Sequence, residues 1–202
     1  MRVLVACEES QVITIEMRKR GHEAFSCDVQ PCSGGHPEWH IQDDVVKYLD
    51  ASWDLIIAHP PCTYLSNAGA NRLRVNGNIN LDRMEKARQA RDFFMQFFYV
   101  HCPRVAIENP VPGRIHELPP YNQIIQPYMF GDPWLKTTCL WLRGLPALFA
   151  TELCIPEGKW VEASPHGRSA LPGEWDMKGK RNPKLRSKTF LGVARAMATQ
   201  WG

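Results

Sequence analysis

A cysteine that directly follows two prolines is the residue of this chain best suited to chemistry. Cys62 comes after the apolar run Trp53 to Ala58, which is typical of a buried parallel strand. Pro60 and Pro61 stop that strand and stiffen the backbone that leaves it. In an open α/β sheet, ligands bind outside the carboxyl ends of the strands. We therefore expect the Cys62 thiol to lie at a ligand-binding edge, where it is a candidate nucleophile.

Carboxylates follow other predicted strands of the same sheet. Asp28 comes directly after the second strand, Asp44 follows the third, and Glu108 follows the strand Arg104 to Ile107. In dinucleotide-binding folds, an acidic residue after the second strand accepts hydrogen bonds from ribose hydroxyls. Because the carboxyl ends of parallel strands meet at one edge of a sheet, we expect Glu108 to lie one strand away from Cys62.

Strands and helices alternate along the chain, which predicts a doubly wound, mainly parallel α/β sheet. The predicted strands include Arg2–Ala6, Glu23–Cys27, Trp53–Ala58, Arg104–Ile107 and Thr137–Leu142. The predicted helices include Gln11–Lys19, Asp82–His101 and Thr189–Trp201. Ser10 is predicted to cap the first helix and Gly21 to end it. Residues 67–80 are predicted to form a mobile polar loop, and residues 114–126 short helical pieces.

The composition is that of an ordinary globular protein. The 202 residues are 44% hydrophobic and 22% charged, which predicts one domain with a sizeable core. The net charge of +3 is too small to indicate nucleic-acid binding by itself. No apolar run approaches membrane-spanning length, so we expect no membrane association. Acidic Glu8 and Glu9, directly after the first strand, argue against a signal peptide.

Seven cysteines are scattered along the chain without a Cys-x-x-Cys pair, which predicts reduced thiols in a cytoplasmic protein. Cys27, Cys32, His36 and His40 belong to residue types that bind zinc. Their spacing matches no common zinc pattern, and the segment is rich in Pro and Gly. We therefore expect an irregular loop there and no metal.

The chain resembles cytosine-C5 DNA methyltransferases, and more specifically the short phage and prophage members of that family. The family's Pro-Cys loop with a downstream Ser-x-Ala-Gly is matched by Pro61-Cys62 and Ser66-Asn67-Ala68-Gly69. Its Glu-Asn-Val is nearly matched by Glu108-Asn109-Pro110, and its Tyr-Gly-x-Pro is echoed by Phe130-Gly131-Asp132-Pro133. The resemblance covers residues 1–145 and 188–202. It implies a Rossmann-like class I methyltransferase fold.

The resemblance implies transfer of a methyl group from S-adenosyl-L-methionine to carbon 5 of cytosine in DNA, through a covalent Cys62 adduct. Glu108 is expected to protonate N3 of the ring, and Lys136 to supply a positive charge. Cofactor contacts are expected from Ala6, Cys7, Glu8, Glu9, Ser10, Asp28, Val29, Asp44, His59 and Pro60. Substrate contacts are expected from Pro61, Ser66, Asn109, Lys184 and Arg186. A bacterial or phage-infected cell is the implied setting.

Three departures from the family pattern stand out. The glycine-rich first loop is replaced by Cys7-Glu8-Glu9-Ser10, and the Gln-x-Arg-x-Arg motif by Trp134-Leu135-Lys136-Thr137-Thr138. Only residues 146–187 stand where the family carries a large target-recognition domain. We expect this segment to be an irregular extension of a single domain, residues 1–202. Sequence specificity is then loose or supplied by a separate specificity subunit.

Two other functions stay open at this point. His59-Pro60-Pro61-Cys62 is a distorted form of the Asn/Asp-Pro-Pro-Tyr motif of amino-methyltransferases, which methylate a nucleobase amine. The altered first loop is also compatible with a degenerate, non-catalytic protein that binds DNA or counters restriction. RNA and free nucleotides stay open as substrates.

Overall fold

The computed structural model describes residues 1–156, 159–160 and 187–202. Seven strands form the main sheet: β1 (Arg2–Ala6), β2 (Glu23–Asp28), β3 (His40–Gln42), β4 (Leu55–Ala58), β5 (Val105–Pro110), β6 (Gln123–Ile125) and β7 (Thr138–Arg143). The longer helices are α1 (Val12–Lys19), α2 (Leu81–Tyr99) and α3 (Leu191–Trp201). Among the described residues, no helix is both long and apolar enough to cross a membrane.

The strand order is β3-β2-β1-β4-β5-β7-β6. Strands β1 to β5 pair in parallel, whereas β7 runs antiparallel to both β5 and β6. The prediction of a mainly parallel sheet is therefore confirmed. The chain moves outward from β1 to β3 and then returns to β4 on the other side of β1. Ligands bind at such a reversal of strand order, next to the carboxyl ends of β1 and β4.

Helices cover both faces of the sheet, because alternate strand residues point to opposite sides. One face packs against α1 and α3, and its buried residues include Val3, Val5, Leu55, Ile57, Ile13, Met17, Ala194 and Met197. The other face packs against α2, and its buried residues include Leu4, Ile56, Val105, Ile107, Phe94 and Phe97. The sheet therefore packs between two layers of helices, with an apolar core on each face, which confirms the doubly wound arrangement.

Strand β5 is longer than the sequence suggested. It was expected to end at Ile107, but it continues to Pro110 because β7 pairs with it over six residues, from Thr138 opposite Pro110 to Arg143 opposite Val105. Glu108 therefore lies within a strand and not after one. The antiparallel partner, which is distant in sequence, supplies the hydrogen bonds that extend β5.

Two segments predicted as irregular or helical are ordered differently. Residues 67–80 contain a short helix, Asn67–Ala70, and a hairpin that joins Arg74–Val75 to Asn78–Ile79. Asn76 and Gly77 have φ angles of 50° and 80°, the left-handed conformation that Asn-Gly favours in two-residue hairpin turns. Residues 123–125 form the edge strand β6, where helical pieces were predicted.

The start of helix α1 is stabilised by a carboxylate and not by the predicted cap. Ser10 does not cap the helix, and Gln11 precedes it with a left-handed φ of 58° and no side-chain cap bond. The buried Glu8 side chain instead accepts hydrogen bonds from the backbone N–H groups of Ile13 (2.7 Å) and Thr14 (3.3 Å). A carboxylate at a helix N-terminus is favoured by both hydrogen bonding and the helix dipole. Gly21, with φ 82°, ends the helix as predicted.

Candidate functional site

Strand register brings His59 and Glu108 together. Ala58 of β4 pairs with Ile107 of β5, so the residues that follow them are neighbours on the face that carries α1 and α3. His59 Nδ1 lies 2.9 Å from Glu108 Oε2, and the two side chains are only 12% and 17% exposed. His59 was predicted as a cofactor contact, and the structure places it beside the predicted catalytic carboxylate.

The surroundings of Glu108 favour its ionised form. Burial raises the pKa of this carboxyl, but the His59 hydrogen bond, the positive charges of Lys136 and His59 and the hydroxyl of Thr138 outweigh it and lower the pKa to about 2. An ionised carboxylate only accepts hydrogen bonds, so Nδ1 of His59 must carry the hydrogen. The other ring nitrogen, Nε2, is buried and has no hydrogen-bond partner among the described residues.

A small cavity lies next to this pair. Its polar lining residues include His59, Glu108, Lys136 and Thr138, and its apolar lining residues include Phe190, Val193 and Met197 from the α3 region. Lys136 Nζ lies 5.9 Å from the centre of the Phe190 ring. The structure thus brings the predicted catalytic residues Glu108 and Lys136 together. A carboxylate and an ammonium group opposite apolar side chains are suited to the polar edge of a flat ring.

The loop that carries Cys62 is held from β5. Asn109 is only 1% exposed, and its Nδ2 donates a hydrogen bond to the carbonyl of Pro60 at 3.1 Å. The Cys62 carbonyl accepts hydrogen bonds from the backbone N–H groups of Leu65 (3.1 Å) and Ser66 (3.0 Å), which closes a tight turn. Asn109, predicted to contact substrate, therefore supports the loop from behind. Cys62 itself is half-buried.

An arginine that no sequence motif marks, Arg83, also holds this loop. Nη2 of Arg83, in the first turn of α2, lies 3.3 Å from the carbonyl of Thr63 and 3.1 Å from that of Gly69. Its guanidinium group lies 5.0 Å from the centre of the Tyr64 ring. The first half of α2 is rich in charged residues, so no local signal distinguishes Arg83 from its solvated neighbours.

The predicted cofactor carboxylates flank Cys7. Burial, followed by the negative charges of Asp28, Cys27 and Asp44, raises the pKa of the Cys7 thiol far above its ordinary value. Asp28 Oδ1 accepts from the backbone of Gln30 at 2.9 Å and Asp44 Oδ1 from that of Val46 at 3.1 Å. In the part of the chain that the structure describes, the second oxygen of each carboxylate has no partner. These acceptors fit the hydroxyl and amine groups of an adenosine.

The first loop uses much of its own hydrogen-bonding capacity inside the protein. Cys7 has a left-handed φ of 60°, and the N–H groups of Cys7 and Glu8 lie 2.7 and 3.3 Å from the carbonyl of Cys27. The carbonyl of Glu9 accepts from the N–H of Ser33 at 2.7 Å. Ala6 and Ser10 are buried. This loop therefore offers fewer free groups to a cofactor than the sequence suggested, whereas Val29 is 69% exposed beside Asp28.

Three solved methyltransferase structures resemble this chain. The Entamoeba histolytica methyltransferase EhMeth is 13% identical, with a TM-score of 0.49 over 76% of this chain and 57% of that one. The S. pombe Dnmt2 methyltransferase is 16% identical, with a TM-score of 0.45 over 73% and 51%. An E. coli prophage protein described as a DNA modification methyltransferase is 14% identical, with a TM-score of 0.45 over 87% and 56%.

The fold is similar to that of methyltransferases. The expected α/β fold with a mainly parallel sheet is confirmed by the strand order and pairing of this chain. At these identities the likeness concerns the fold alone. This chain spans little more than half the length of each of the three, 57%, 51% and 56%. No protein-family model and no curated protein matches the sequence.

The predicted substrate contacts Ser66 and Pro61 do not line the cavity beside His59 and Glu108. Ser66 accepts a hydrogen bond at Oγ from the N–H of Gly69 at 3.2 Å. Pro61 is exposed on the Cys62 loop. Lys184 and Arg186 lie outside the described residues, as does most of the extension at 146–187.

The residues considered as zinc ligands have other contacts. Both ring nitrogens of His40 lie within 2.9 Å of other protein groups, and His36 stacks on Trp39 with ring centres 3.8 Å apart. The Cys27 thiol lies 3.6 Å from a backbone carbonyl. Within the described ranges, no group of three or more His, Cys, Asp and Glu side chains is arranged to hold a metal ion.

Proposed function

We propose that this chain transfers a methyl group from S-adenosyl-L-methionine to carbon 5 of cytosine in DNA, through a covalent adduct of Cys62. The observation that supports this most is the double use of β5. Glu108 points into the cavity on one face of the sheet, while Asn109 holds the Pro60 carbonyl of the nucleophile loop at 3.1 Å. Adjacent residues of one strand thus fix a carboxylate and a thiol loop relative to each other.

The reaction explains why these groups belong together. Carbon 5 of cytosine is a poor nucleophile until a thiolate adds to carbon 6 and converts the ring to an enamine. Cys62 supplies that thiolate, and Glu108 binds the N3 and amino edge of the ring. Lys136 places a positive charge on the same wall of the cavity. Because a base stacked in a duplex cannot reach both groups, the target cytosine must be flipped out.

The cofactor supplies the electrophilic methyl group when it is bound. In our proposal, Asp28 and Asp44 accept hydrogen bonds from its adenosine, with Val29 against the adenine ring, next to the ends of β2 and β3. The contacts expected from Ala6, Cys7, Glu8, Glu9, Ser10, His59 and Pro60 belong to the same proposal. Pro61 and Ser66 contact the flipped base, and Lys184 and Arg186 contact DNA phosphates.

The test is incubation with S-adenosyl-L-methionine labelled on the methyl group and a panel of DNA, RNA and deoxycytidine nucleotides, followed by mass spectrometry of the product. We expect 5-methylcytosine in DNA from the wild type and none from Cys62→Ser. The matched control is Cys154→Ser, because Cys154 is also half-buried but lies far along the chain. DNA that contains 5-fluorocytosine should form a covalent complex only when Cys62 is present.

Other outcomes identify the rival functions. Methyl transfer to an exocyclic amine, retained in Cys62→Ser, supports an amino-methyltransferase and contradicts our proposal. The inward-facing hydrogen bonds of the first loop favour a second candidate, a non-catalytic DNA-binding protein. Isothermal titration calorimetry decides this case, because that candidate binds DNA without binding S-adenosyl-L-methionine.

A further inference from the structure

The N-terminus of α1 is the place where folds of this topology bind the anionic part of a nucleotide. The first N–H groups of a helix have no partner within the helix, and together with the helix dipole they attract anions. In this chain the loop that leads to α1 carries Cys7, which Asp28 and Asp44 flank. A carboxylate on a ligand whose adenosine binds Asp28 and Asp44 is therefore expected at the start of α1.

The side chain of Glu8 occupies this position. Its Oε1 accepts a hydrogen bond from the N–H of Ile13 at 2.7 Å, and its Oε2 accepts from the N–H and the hydroxyl of Thr14 at 3.3 and 2.7 Å. Glu8 is only 4% exposed, and Ile13 and Thr14 are fully buried. An anion from solution can reach these donors only by displacing Glu8.

The segment after β2 holds the start of α1 in this form. Gln11 is fully buried, and its Nε2 donates to the carbonyl of His36 at 2.8 Å and to Oγ of Ser26 at 3.2 Å. Its Oε1 accepts from the N–H of His36 at 3.1 Å. These bonds tie the residue before α1 to two other parts of the fold. Exposure of the helix terminus to a ligand therefore requires that several buried hydrogen bonds break.

Resting on the proposed function, we propose that Glu8 is a specificity-determining residue: it fills the anion-binding terminus of α1, so that the site binds its cofactor through the adenosine alone. The carboxylate of the methionine part then adds little to the affinity. Asp28 and Asp44 accept from hydroxyl and amine groups that other adenosine thioethers also carry. Glu8 thus acts on the cofactor by filling the helix terminus and not through a direct hydrogen bond.

The first experiment compares two ligands of the wild type by isothermal titration calorimetry. S-adenosyl-L-homocysteine and methylthioadenosine share the adenosine and the thioether, but only the first carries an amino-acid group. A carboxylate held by charge-assisted hydrogen bonds would tighten binding by about tenfold to a hundredfold. We expect the two dissociation constants to differ by less than about tenfold. A larger advantage of S-adenosyl-L-homocysteine overturns the proposal.

The second experiment opens the helix terminus with Glu8→Ala. The ligand carboxylate can then reach the N–H groups of Ile13 and Thr14, so the advantage of S-adenosyl-L-homocysteine over methylthioadenosine should grow by about tenfold. Glu16→Ala is the matched control, because Glu16 is another buried glutamate of α1 but pairs with Lys19 at 2.6 Å. An unchanged ratio of affinities in Glu8→Ala contradicts the proposal.

A third measurement needs no cofactor. Formate should refill the terminus in Glu8→Ala and raise its Tm by about 2–4 °C more than the same concentration of chloride. The wild type should respond equally to both salts. Equal responses of Glu8→Ala to both salts overturn the proposal.

Failure of the proposed function has a different signature. If the wild type binds no adenosine compound, the cofactor assignment fails, and the formate measurement alone decides whether Glu8 fills an anion site. If Glu8→Ala does not fold, the comparison of the two ligands in the wild type decides.

Discussion

Replacement of Glu108 by glutamine should change how stability depends on pH. The carboxyl pKa falls from an ordinary 4.5 to about 2 in the folded protein, and at about 1.36 kcal/mol for each pKa unit this corresponds to about 3 kcal/mol. No large reduction for solvent screening applies, because the side chain is only 17% exposed. The Glu108→Gln variant removes the charge but keeps the size and an acceptor oxygen.

The sign follows from proton linkage. A carboxyl whose pKa is lowered by folding stabilises the folded state above its unfolded pKa, and this stability is lost as pH falls through the folded pKa. The free energy of unfolding of the wild type should therefore exceed that of Glu108→Gln by about 3 kcal/mol at pH 7. The difference should stay constant down to about pH 5 and shrink between about pH 5 and pH 2. Titrating groups that do not interact with Glu108 cancel in the difference.

Urea unfolding at a series of pH values measures this quantity, since urea adds no salt. Glu85 is the control residue: its pKa is also lowered to about 2, by hydrogen bonds from Arg88 and Gln89, but its side chain is 51% exposed. Water and salt screen such surface pairs, so Glu85→Gln should change the pH dependence far less. A difference between wild type and Glu108→Gln that is the same at pH 7 and pH 3 would refute the assignment of an ionised, charge-stabilised Glu108.

Three further predictions concern the loop, the helix packing and the cofactor. Arg83→Met should lower kcat/KM about tenfold and make residues 63–70 more sensitive to proteases, because two hydrogen bonds to loop carbonyls, one exposed and one partly buried, are lost; unchanged kinetics and protection would contradict this. Gly192→Ala should destabilise the fold by about 1–3 kcal/mol in urea unfolding, since its Cβ would overlap the carbonyl oxygen of Phe130. The gain of about 1 kcal/mol in helix propensity is too small to compensate, and a stabilised variant would show the packing argument to be wrong. Asp28→Asn should weaken S-adenosyl-L-methionine binding about tenfold in calorimetry, as expected for loss of a charged acceptor, whereas exposed Asp50→Asn should not; equal affinities would remove Asp28 from the cofactor site.

Local sequence patterns predicted what depends on neighbouring residues. The apolar run before His59, the Pro-Pro step and the glycine after α1 each act within a few residues, so strand β4, its end before Pro60 and the end of α1 were predictable. The catalytic candidates Glu108 and Lys136 were also named from the sequence, and they share one cavity wall.

Contacts that depend on strand register were not predictable in this way. The His59–Glu108 pair requires Ala58 to lie opposite Ile107, and no residue near His59 specifies that alignment. The same reason explains why the prediction for Ser10 was wrong. A helix cap was inferred from the position of Ser10 in the sequence, whereas Glu8 reaches the start of α1 because the loop turns at Cys7, which has a left-handed φ. Only the pairing of distant segments determines such geometry.

The alternation of β5 explains why the site depends on this strand in particular. Successive residues of a strand face opposite sides, so Glu108 joins the cavity and Asn109 contacts the loop that carries Cys62 only in one register. A shift of β5 by one residue would exchange the two side chains and leave a carboxylate behind the loop. Strand β7 prevents this, because it pairs antiparallel with β5 over six residues and is itself paired with β6. The reversed strand at this side of the sheet therefore fixes the relative position of the carboxylate and the thiol, although it contributes neither of them.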